Sequence, residues 1–157
     1  EKVSNSTGWF GCIHEYNSRR KNTIVNKISK LSAGLAGMTI GVLGLTYKPG
    51  TSTLRRSLPL EIVNQLVEKS ANVRVYDPKA DYSELSFEPK FIIVKSIGEL
   101  SINADILVLL TEWPQFKQFD WPTVRDSMTT PIIFDTKNFL NREVLKKSGF
   151  NYYSIGR

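Results

Sequence analysis

Residues 38–45, MTIGVLGL, form a continuous apolar run that sets the architecture of the chain. A strand covered on both faces of a sheet is apolar throughout, so this run predicts a buried central strand. Further strands are predicted at Val73–Tyr76, Phe91–Val94, Asp105–Leu110, Ile132–Phe134 and Tyr152–Ile155. Helical segments separate most of them. This alternation favours an α/β fold with a doubly wound, mainly parallel sheet of five or six strands.

The predicted helices are placed by capping residues. Ser57 is suited to cap a helix that has Pro59 in its first turn, where the missing N–H costs little. Asn141 is suited to cap a short helix that stops at Gly149. A helical turn is expected at Ser96–Ser101, and a proline-interrupted helical region is expected before Met128.

The N-terminal part differs from the rest of the chain. Residues 1–16 have no apolar period and are predicted to be irregular. From Ser18, one long helix is expected, and its apolar stripe consists of Ile24, Val25, Ile28 and Leu31. We expect part of that stripe to stay exposed and to favour self-association. The predicted organisation is an irregular segment plus a basic connecting helix at 1–37, followed by an α/β domain at 38–157.

Composition excludes several classes of protein. The chain has 157 residues, 41% hydrophobic and 23% charged, which are globular values. Its one cysteine, Cys12, and one histidine, His14, cannot form an internal disulfide or a four-ligand zinc site. No apolar run approaches the roughly 20 residues that span a bilayer. We therefore expect a reduced, cytoplasmic protein with no membrane partner and no metal.

The net charge of +6 is unevenly distributed, because residues 1–37 hold six basic and two acidic residues. A solvated helix face and a phosphate-bearing partner are both consistent with this excess. A basic nucleic-acid-binding module is one alternative. No helix-turn-helix, zinc or RNP-type motif accompanies the charge, so no nucleic-acid partner is expected.

Ligands of doubly wound sheets bind beyond the carboxyl ends of the strands. The first such loop lacks the G-x-G-x-x-G pattern of a Rossmann dinucleotide site, since Gly41 and Gly44 lie inside the predicted strand. The Rossmann-like sheet is therefore not expected to bind NAD in the usual way. The same loop offers Lys48, Arg55 and Arg56, which suit either a phosphate site or a solvated surface.

Residues 41–57, GVLGLTYKPGTSTLRRS, resemble the opening of the C-terminal domain of the UDP-glucose/GDP-mannose dehydrogenase family. The family pattern is approximately G-L-x-[FY]-K-x-x-T-[DS]-x-x-R-x-S. It is matched by Tyr47, Lys48, Thr51, Arg55 and Ser57, and further matches lie in order at Val73–Pro78, Ala104–Pro114, Phe116 and Phe134–Asn138. The resemblance covers about residues 17–157 and is strongest to the UDP-glucose branch.

The resemblance implies the UDP-sugar-binding domain of an NAD-dependent UDP-sugar 6-dehydrogenase. Such an enzyme oxidises the sugar C6 alcohol to a uronic acid for polysaccharide biosynthesis, as a homodimer or larger homo-oligomer. The resemblance places Tyr47 and Lys48 beside the nucleotide sugar and Arg55 on NAD. Lys137 stands where the family has a nucleotide-contacting arginine. No role is carried onto Ser52, Thr53, Arg56 and Leu58, which depart from the family.

The family's catalytic cysteine lies in a G-G-S-C-type segment that is absent here, and the surroundings of Cys12 do not match it. The resemblance also implies that NAD is bound mainly by an N-terminal domain. No catalytic residue is therefore expected in this chain, which alone should be inactive. Cys12 and His14 could instead form a nucleophile–base pair, but no orienting group is evident.

A receiver-like signalling domain would suit Lys137 after a late strand, but the acidic pair that holds magnesium is missing after the first strand. Two aspartates at strand ends are also open to more than one interpretation. Asp77 and Asp135 could hold a metal or a ribose, or could cap the turns that follow them.

Four aromatic residues follow the strand predicted at Asp105–Leu110. They could stack on a base, since every base presents a flat face, or they could pack a helix onto the sheet. These residues are Trp113, Phe116, Phe119 and Trp121.

Overall fold

The computed structural model describes residues 9–31 and 34–156, and for residues 9–18 and Arg20 it describes the backbone alone. The described chain forms one six-stranded sheet in the order β3-β2-β1-β4-β5-β6, with every pair parallel. The strands are β1 (Thr39–Leu43), β2 (Asn72–Tyr76), β3 (Ile92–Ile93), β4 (Ile106–Leu109), β5 (Ile132–Asp135) and β6 (Asn151–Ser154). This is the strand order of a Rossmann-type sheet, and the predicted doubly wound α/β fold is confirmed.

Helices cover both faces of the sheet. They are α1 (Trp9–Leu31), α2 (Leu58–Glu68), α3 (Ile97–Ser101), α4 (Trp121–Asp126) and α5 (Arg142–Lys147), with 3-10 helices at Tyr82–Glu84 and Pro114–Gln118. One apolar cluster joins α1 and α2 to one face of the sheet. A second cluster joins α3, α4 and α5 to the opposite face. The result is a three-layer structure with the sheet in the middle.

The predicted capping residues are confirmed. The Ser57 Oγ accepts a hydrogen bond from the Leu60 N–H, and Pro59 lies in the first turn of α2. The Ser96 Oγ accepts from the Glu99 N–H, and the Asn141 side chain accepts from two N–H groups of α5. These side chains satisfy backbone donors that have no partner inside a helix.

The first helix begins earlier than predicted. It starts at Trp9 rather than Ser18, so the prediction of irregular structure is wrong for residues 9–16. The rest of that prediction, residues 1–8, lies outside the described residues. Once packing has formed a helical turn, each further residue adds one hydrogen bond, and no proline interrupts residues 9–31. Cys12 and His14 therefore lie within a helix.

The apolar stripe of α1 is covered by the chain itself. Ile24, Val25 and Ile28 are at most 3% exposed and belong to the cluster that contains α2. Polar contacts flank them, since Lys21 Nζ lies 2.9 Å from Glu61 Oε2. These three residues are therefore not available for self-association, because α2 packs against them, while Leu31 is only partly buried. Self-association of the chain stays a prediction.

Within residues 9–31 and 34–156, no helix has both the length and the apolar character needed to cross a membrane.

Candidate functional site

A cavity of about 380 Å³ opens at the carboxyl edge of the sheet. Its walls come from α1, from the loop after β1, from the start of α2 and from the segments after β4 and β5. The lining residues are Ile24, Tyr47, Lys48, Arg56, Leu58, Pro59, Glu61, Ile62, Leu110, Thr136 and Lys137. The cavity lies where the strand order reverses, between β1 and β4. Ligands of doubly wound folds bind at this point.

The structure brings together three of the four residues that the sequence singled out. Tyr47, Lys48 and Lys137 all line the cavity, although they are up to 90 positions apart in the chain. Arg55 does not line it and is exposed elsewhere on the loop. Its neighbour Arg56, to which the resemblance assigned no role, lines the cavity instead.

Asp77 holds the start of the loop that carries Tyr47 and Lys48. This carboxylate, only 8% exposed, follows β2 and accepts hydrogen bonds through Oδ2 from the Leu45 N–H (2.7 Å) and the Thr46 N–H (2.9 Å). The Thr46 hydroxyl (2.9 Å) and the Trp113 indole N–H (3.2 Å) also donate to Oδ2. Oδ1 caps the next turn by accepting from the Lys79 N–H. The capping role is therefore confirmed, and it connects three strand-end loops.

Asp135 holds the segment that carries Lys137, as Asp77 holds the loop that carries Lys48. This carboxylate is fully buried at the end of β5 and accepts from the Lys137 N–H at 2.9 Å, from the Leu140 N–H at 2.8 Å and from the Tyr152 hydroxyl at 3.0 Å. The Lys137 Nζ lies 3.2 Å from Glu112 Oε2, which comes from the loop after β4. Oε2 is buried and has no partner in hydrogen-bond geometry among the described residues. Lys137 is thus positioned through its backbone by Asp135 and through its charge by Glu112.

A turn at residues 54–57 joins the loop to α2. The Ser57 N–H donates to the Leu54 carbonyl at 3.1 Å, and the Ser57 hydroxyl donates to the Leu45 carbonyl at 2.5 Å. Glu84 Oε2 accepts from the Leu54 N–H at 2.7 Å and from the Thr53 hydroxyl at 2.9 Å. These two hydrogen bonds hold the pKa of Glu84 below its usual value.

The aromatic residues pack into the core. Trp113, Phe116 and Trp121 are at most 3% exposed, and Phe119 contacts the ring of Phe116 at a centroid distance of 5.4 Å. Burial of this extent confirms packing rather than stacking on a ligand.

In the part of the chain that the structure describes, no group of three or more potential metal ligands comes together.

The backbone after β1 does not fit the pyrophosphate of a dinucleotide. A Cβ added at Gly44 would lie 2.5 Å from the Thr111 Cβ, so this glycine serves close packing. The N–H groups of residues 44–47 all donate hydrogen bonds within the fold. The first donates to the Tyr76 carbonyl, the next two to the Asp77 carboxylate and the last to the Thr53 carbonyl. A Rossmann dinucleotide site needs such N–H groups free to face the phosphates.

Comparison with known proteins adds the family. The family model described as "UDP-glucose/GDP-mannose dehydrogenase family, UDP binding domain" matches residues 41–142. The chain belongs to this family. The resemblance seen in the sequence is thereby confirmed, and the receiver-like and nucleic-acid-binding alternatives are left without support.

Individual relatives are sugar-nucleotide dehydrogenases, in agreement with the family model. UDP-glucose 6-dehydrogenase of Rickettsia felis is 38% identical over 143 residues, covering 89% of this chain and 32% of that protein. The structure of UDP-D-ManNAc dehydrogenase from Pyrococcus horikoshii has a TM-score of 0.71 and 28% identity, and the match covers 99% of this chain and 36% of that one. The UDP-N-acetyl-mannosamine dehydrogenase Cap5O from Staphylococcus aureus gives 0.69 and 26%, with 89% and 31% covered. The chain thus spans about a third of the length of the curated relatives that it matches.

Two residues of the site are poorly marked by the sequence. Arg56 departs from the family pattern, and its only sequence signal is a second positive charge beside Arg55. Glu112 lies in a segment that matches the family, but nothing in that segment points to its chemistry. Its contact with Lys137 joins loops after two different strands, which no spacing rule reveals.

Proposed function

We propose that this chain binds the nucleotide part of a UDP-sugar within an NAD-dependent UDP-sugar 6-dehydrogenase, with UDP-glucose as the favoured substrate. One observation carries the proposal: the cavity at the strand-order reversal collects Tyr47, Lys48 and Lys137 in a chain whose family model is a UDP binding domain. Lysine and arginine side chains suit a diphosphate because they are cations with several donors.

Each residue has a definite role in this proposal. Lys48 stabilises a phosphate or the carboxylate that forms on the sugar, and Lys137 supplies a second cation from the opposite wall. Tyr47, which is 57% exposed, lies beside the nucleotide with its ring and hydroxyl available. Arg55 lies outside the cavity and is proposed to contact the phosphates of NAD bound by another part of the enzyme.

The hydride acceptor would be NAD, whose pyrophosphate the amides after β1 do not fit. The described residues that line the cavity include no cysteine that could act as the family's nucleophile, and in this proposal they bind and orient substrate. In the same proposal, residues 38–157 form the UDP-sugar-binding domain and 1–37 include the helix that connects it to a central region. The whole enzyme would act in the cytoplasm as a homodimer or larger homo-oligomer.

Calorimetric titration of UDP, UDP-glucose and NAD into the chain tests this function. We expect both uridine ligands to bind, NAD to give no heat, and UDP-glucose with NAD to give no turnover. Lys48→Ala should weaken UDP by about ten-fold, since a charge-assisted contact is lost.

Lys90→Ala, which removes an exposed lysine outside the cavity, is the control and should bind UDP normally. Absence of UDP binding, or equal binding by Lys48→Ala, would contradict the proposal. Turnover by the unaltered chain would contradict the assignment of catalysis to other segments.

A further inference from the structure

Beyond the residues placed in the site by resemblance, we infer that Arg56 is a further ligand-binding residue of the cavity, whose guanidinium takes a phosphate of the bound diphosphate. The identity of that anion as the diphosphate of UDP rests on the proposed function. Arg56 lines the cavity with Tyr47, Lys48 and Lys137, and its side chain is solvent-exposed.

The placement of Arg56 is built into the local structure. It is the third residue of the turn closed by the Ser57 N–H and the Leu54 carbonyl, and its φ is +54°. Residues other than Gly, Asn and Asp rarely adopt that conformation. The turn is held on one side by Glu84, which accepts from the Leu54 N–H, and on the other by Ser57, which donates to the Leu45 carbonyl. The backbone of Arg56 is therefore held in a fixed position by these hydrogen bonds.

The charge balance of the cavity favours an anion. Its charged lining residues are Lys48, Arg56, Lys137 and Glu61. Glu61 is paired with Lys21 at 2.9 Å, and Lys137 is paired with Glu112 at 3.2 Å. Among the described residues, no ion pair is found for Lys48 or Arg56. Two cations that share a cavity without a counter-charge repel each other, and a diphosphate between them would remove that repulsion.

Arg56 also contributes a geometry that the two lysines cannot. A lysine ammonium is a point charge, whereas a guanidinium donates two parallel N–H groups to two oxygens of one phosphate. Within the described lining of the cavity, Arg56 is the single guanidinium. It comes from the wall next to α2, while Lys137 comes from the segment after β5. A diphosphate held between these walls would meet one fork and two point charges.

The test is calorimetric titration of UDP and, separately, of inorganic pyrophosphate into the unaltered chain and three variants. Arg56→Gly removes the side chain and suits the positive φ, so the turn should survive with an unchanged or higher melting temperature. Arg56→Lys keeps the charge and loses the fork. Arg142→Ala, an exposed residue of α5 outside the cavity, is the matched control.

We expect Arg56→Gly to lower the affinity for both ligands by about ten-fold or more. Arg56→Lys should lower the affinity by a smaller factor, and Arg142→Ala should bind both ligands as the unaltered chain does. If the unaltered chain and Arg56→Gly bind UDP equally, the inference is overturned and the proposed function stands. If pyrophosphate binds in an Arg56-dependent manner but UDP does not bind, the inference stands and the UDP function is overturned. If neither ligand binds the unaltered chain, both are overturned.

Discussion

Asp77 connects three loops beside the cavity through one buried carboxylate. Its carboxylate joins the loop after β1, the turn after β2 and the indole of Trp113 after β4. A buried carboxylate that accepts several hydrogen bonds is stabilising only while its donors stay in place. Lys48 is therefore positioned by a residue that is distant in sequence and does not line the cavity.

Asp77→Asn should lower the free energy of unfolding by about 1–3 kcal/mol, because an amide cannot accept the same set of donors without placing an N–H against one of them. The same change should weaken UDP binding by loosening the loop of Lys48. Equilibrium urea unfolding and calorimetry measure the two effects. Asp126→Asn, at an exposed ion pair with Arg125, should stay within about 0.5 kcal/mol of the unaltered chain. Equal stability of the two variants would show that the Asp77 hydrogen bonds are not stabilising.

A second residue-scale prediction concerns two tyrosines with contrasting hydroxyls. The Tyr82 hydroxyl oxygen is buried and has no hydrogen-bond partner among the described residues, and burial together with the charge of Asp77 raises the pKa of Tyr82. The Tyr152 hydroxyl donates to Asp135 at 3.0 Å. Tyr82→Phe should therefore leave stability unchanged or raise it by about 1 kcal/mol, and Tyr152→Phe should lower it by about 1 kcal/mol. Thermal unfolding compares them, and a clear loss of stability in Tyr82→Phe would reveal a partner for that hydroxyl.

At the scale of elements, the site is a set of short loops that are held from neighbouring segments. The turn that carries Arg56 is held by Glu84 from the 3-10 helix Tyr82–Glu84 as well as by the cap of α2. The segment that carries Lys137 is held by Asp135 and Glu112. The side chains proposed to bind the ligand thus lie on loops whose ends are held by the rigid sheet.

The Glu84 contact predicts a dependence of stability on pH. Because the folded-state pKa of Glu84 lies below its usual value of 4.5, its carboxylate stabilises the fold above that value. That contribution is lost as the pH falls through the lower, folded-state pKa. Urea unfolding of the unaltered chain and of Glu84→Gln, between about pH 6 and about pH 3, should show a stability difference that shrinks on acidification. A difference that stays constant with pH would mean that Glu84 does not act through its charge.

At the scale of the whole molecule, two apolar clusters sandwich the sheet, and the central strand must fit tightly on both faces. Gly41 of β1 shows how tight the fit is, since an added Cβ would lie 2.5 Å from Leu107 Cδ2 and 3.0 Å from Leu100 Cγ. A glycine that could be mistaken for part of a nucleotide motif is therefore required by packing.

Gly41→Ala should lower the free energy of unfolding by about 1–3 kcal/mol through overpacking. Gly98→Ala in α3 is the matched control, since its Cβ would meet only Ser96 Oγ at 3.8 Å, and alanine favours a helix. Chemical denaturation of both variants makes the comparison. Similar stabilities would show that β4 and α3 can yield to an extra methyl group.

Local patterns account for much of this molecule. The apolar run at residues 38–45 predicts β1, and Ser57 and Asn141 predict their helices, because strand burial and capping depend on neighbouring residues. The start of α1 is not predictable in this way, because residues 9–16 have no apolar period and the buried residues of the helix, Ile24, Val25 and Ile28, lie further along the chain. The sequence offers Arg56 only as one of three candidate cations and does not point to Glu112. Their positions depend on a turn conformation and on a contact between loops, both of which are tertiary properties.

The four amides after β1 are all used within the fold, and this has a consequence for how such a site changes over time. A nucleotide held by backbone N–H groups ties ligand choice to chain conformation, so a new ligand requires a new loop. Here the groups left to face a ligand are side chains such as Tyr47, Lys48, Arg56 and Lys137. Single amino-acid substitutions can therefore change the ligand specificity of this edge of the sheet without a change in the backbone of the sheet or its loops.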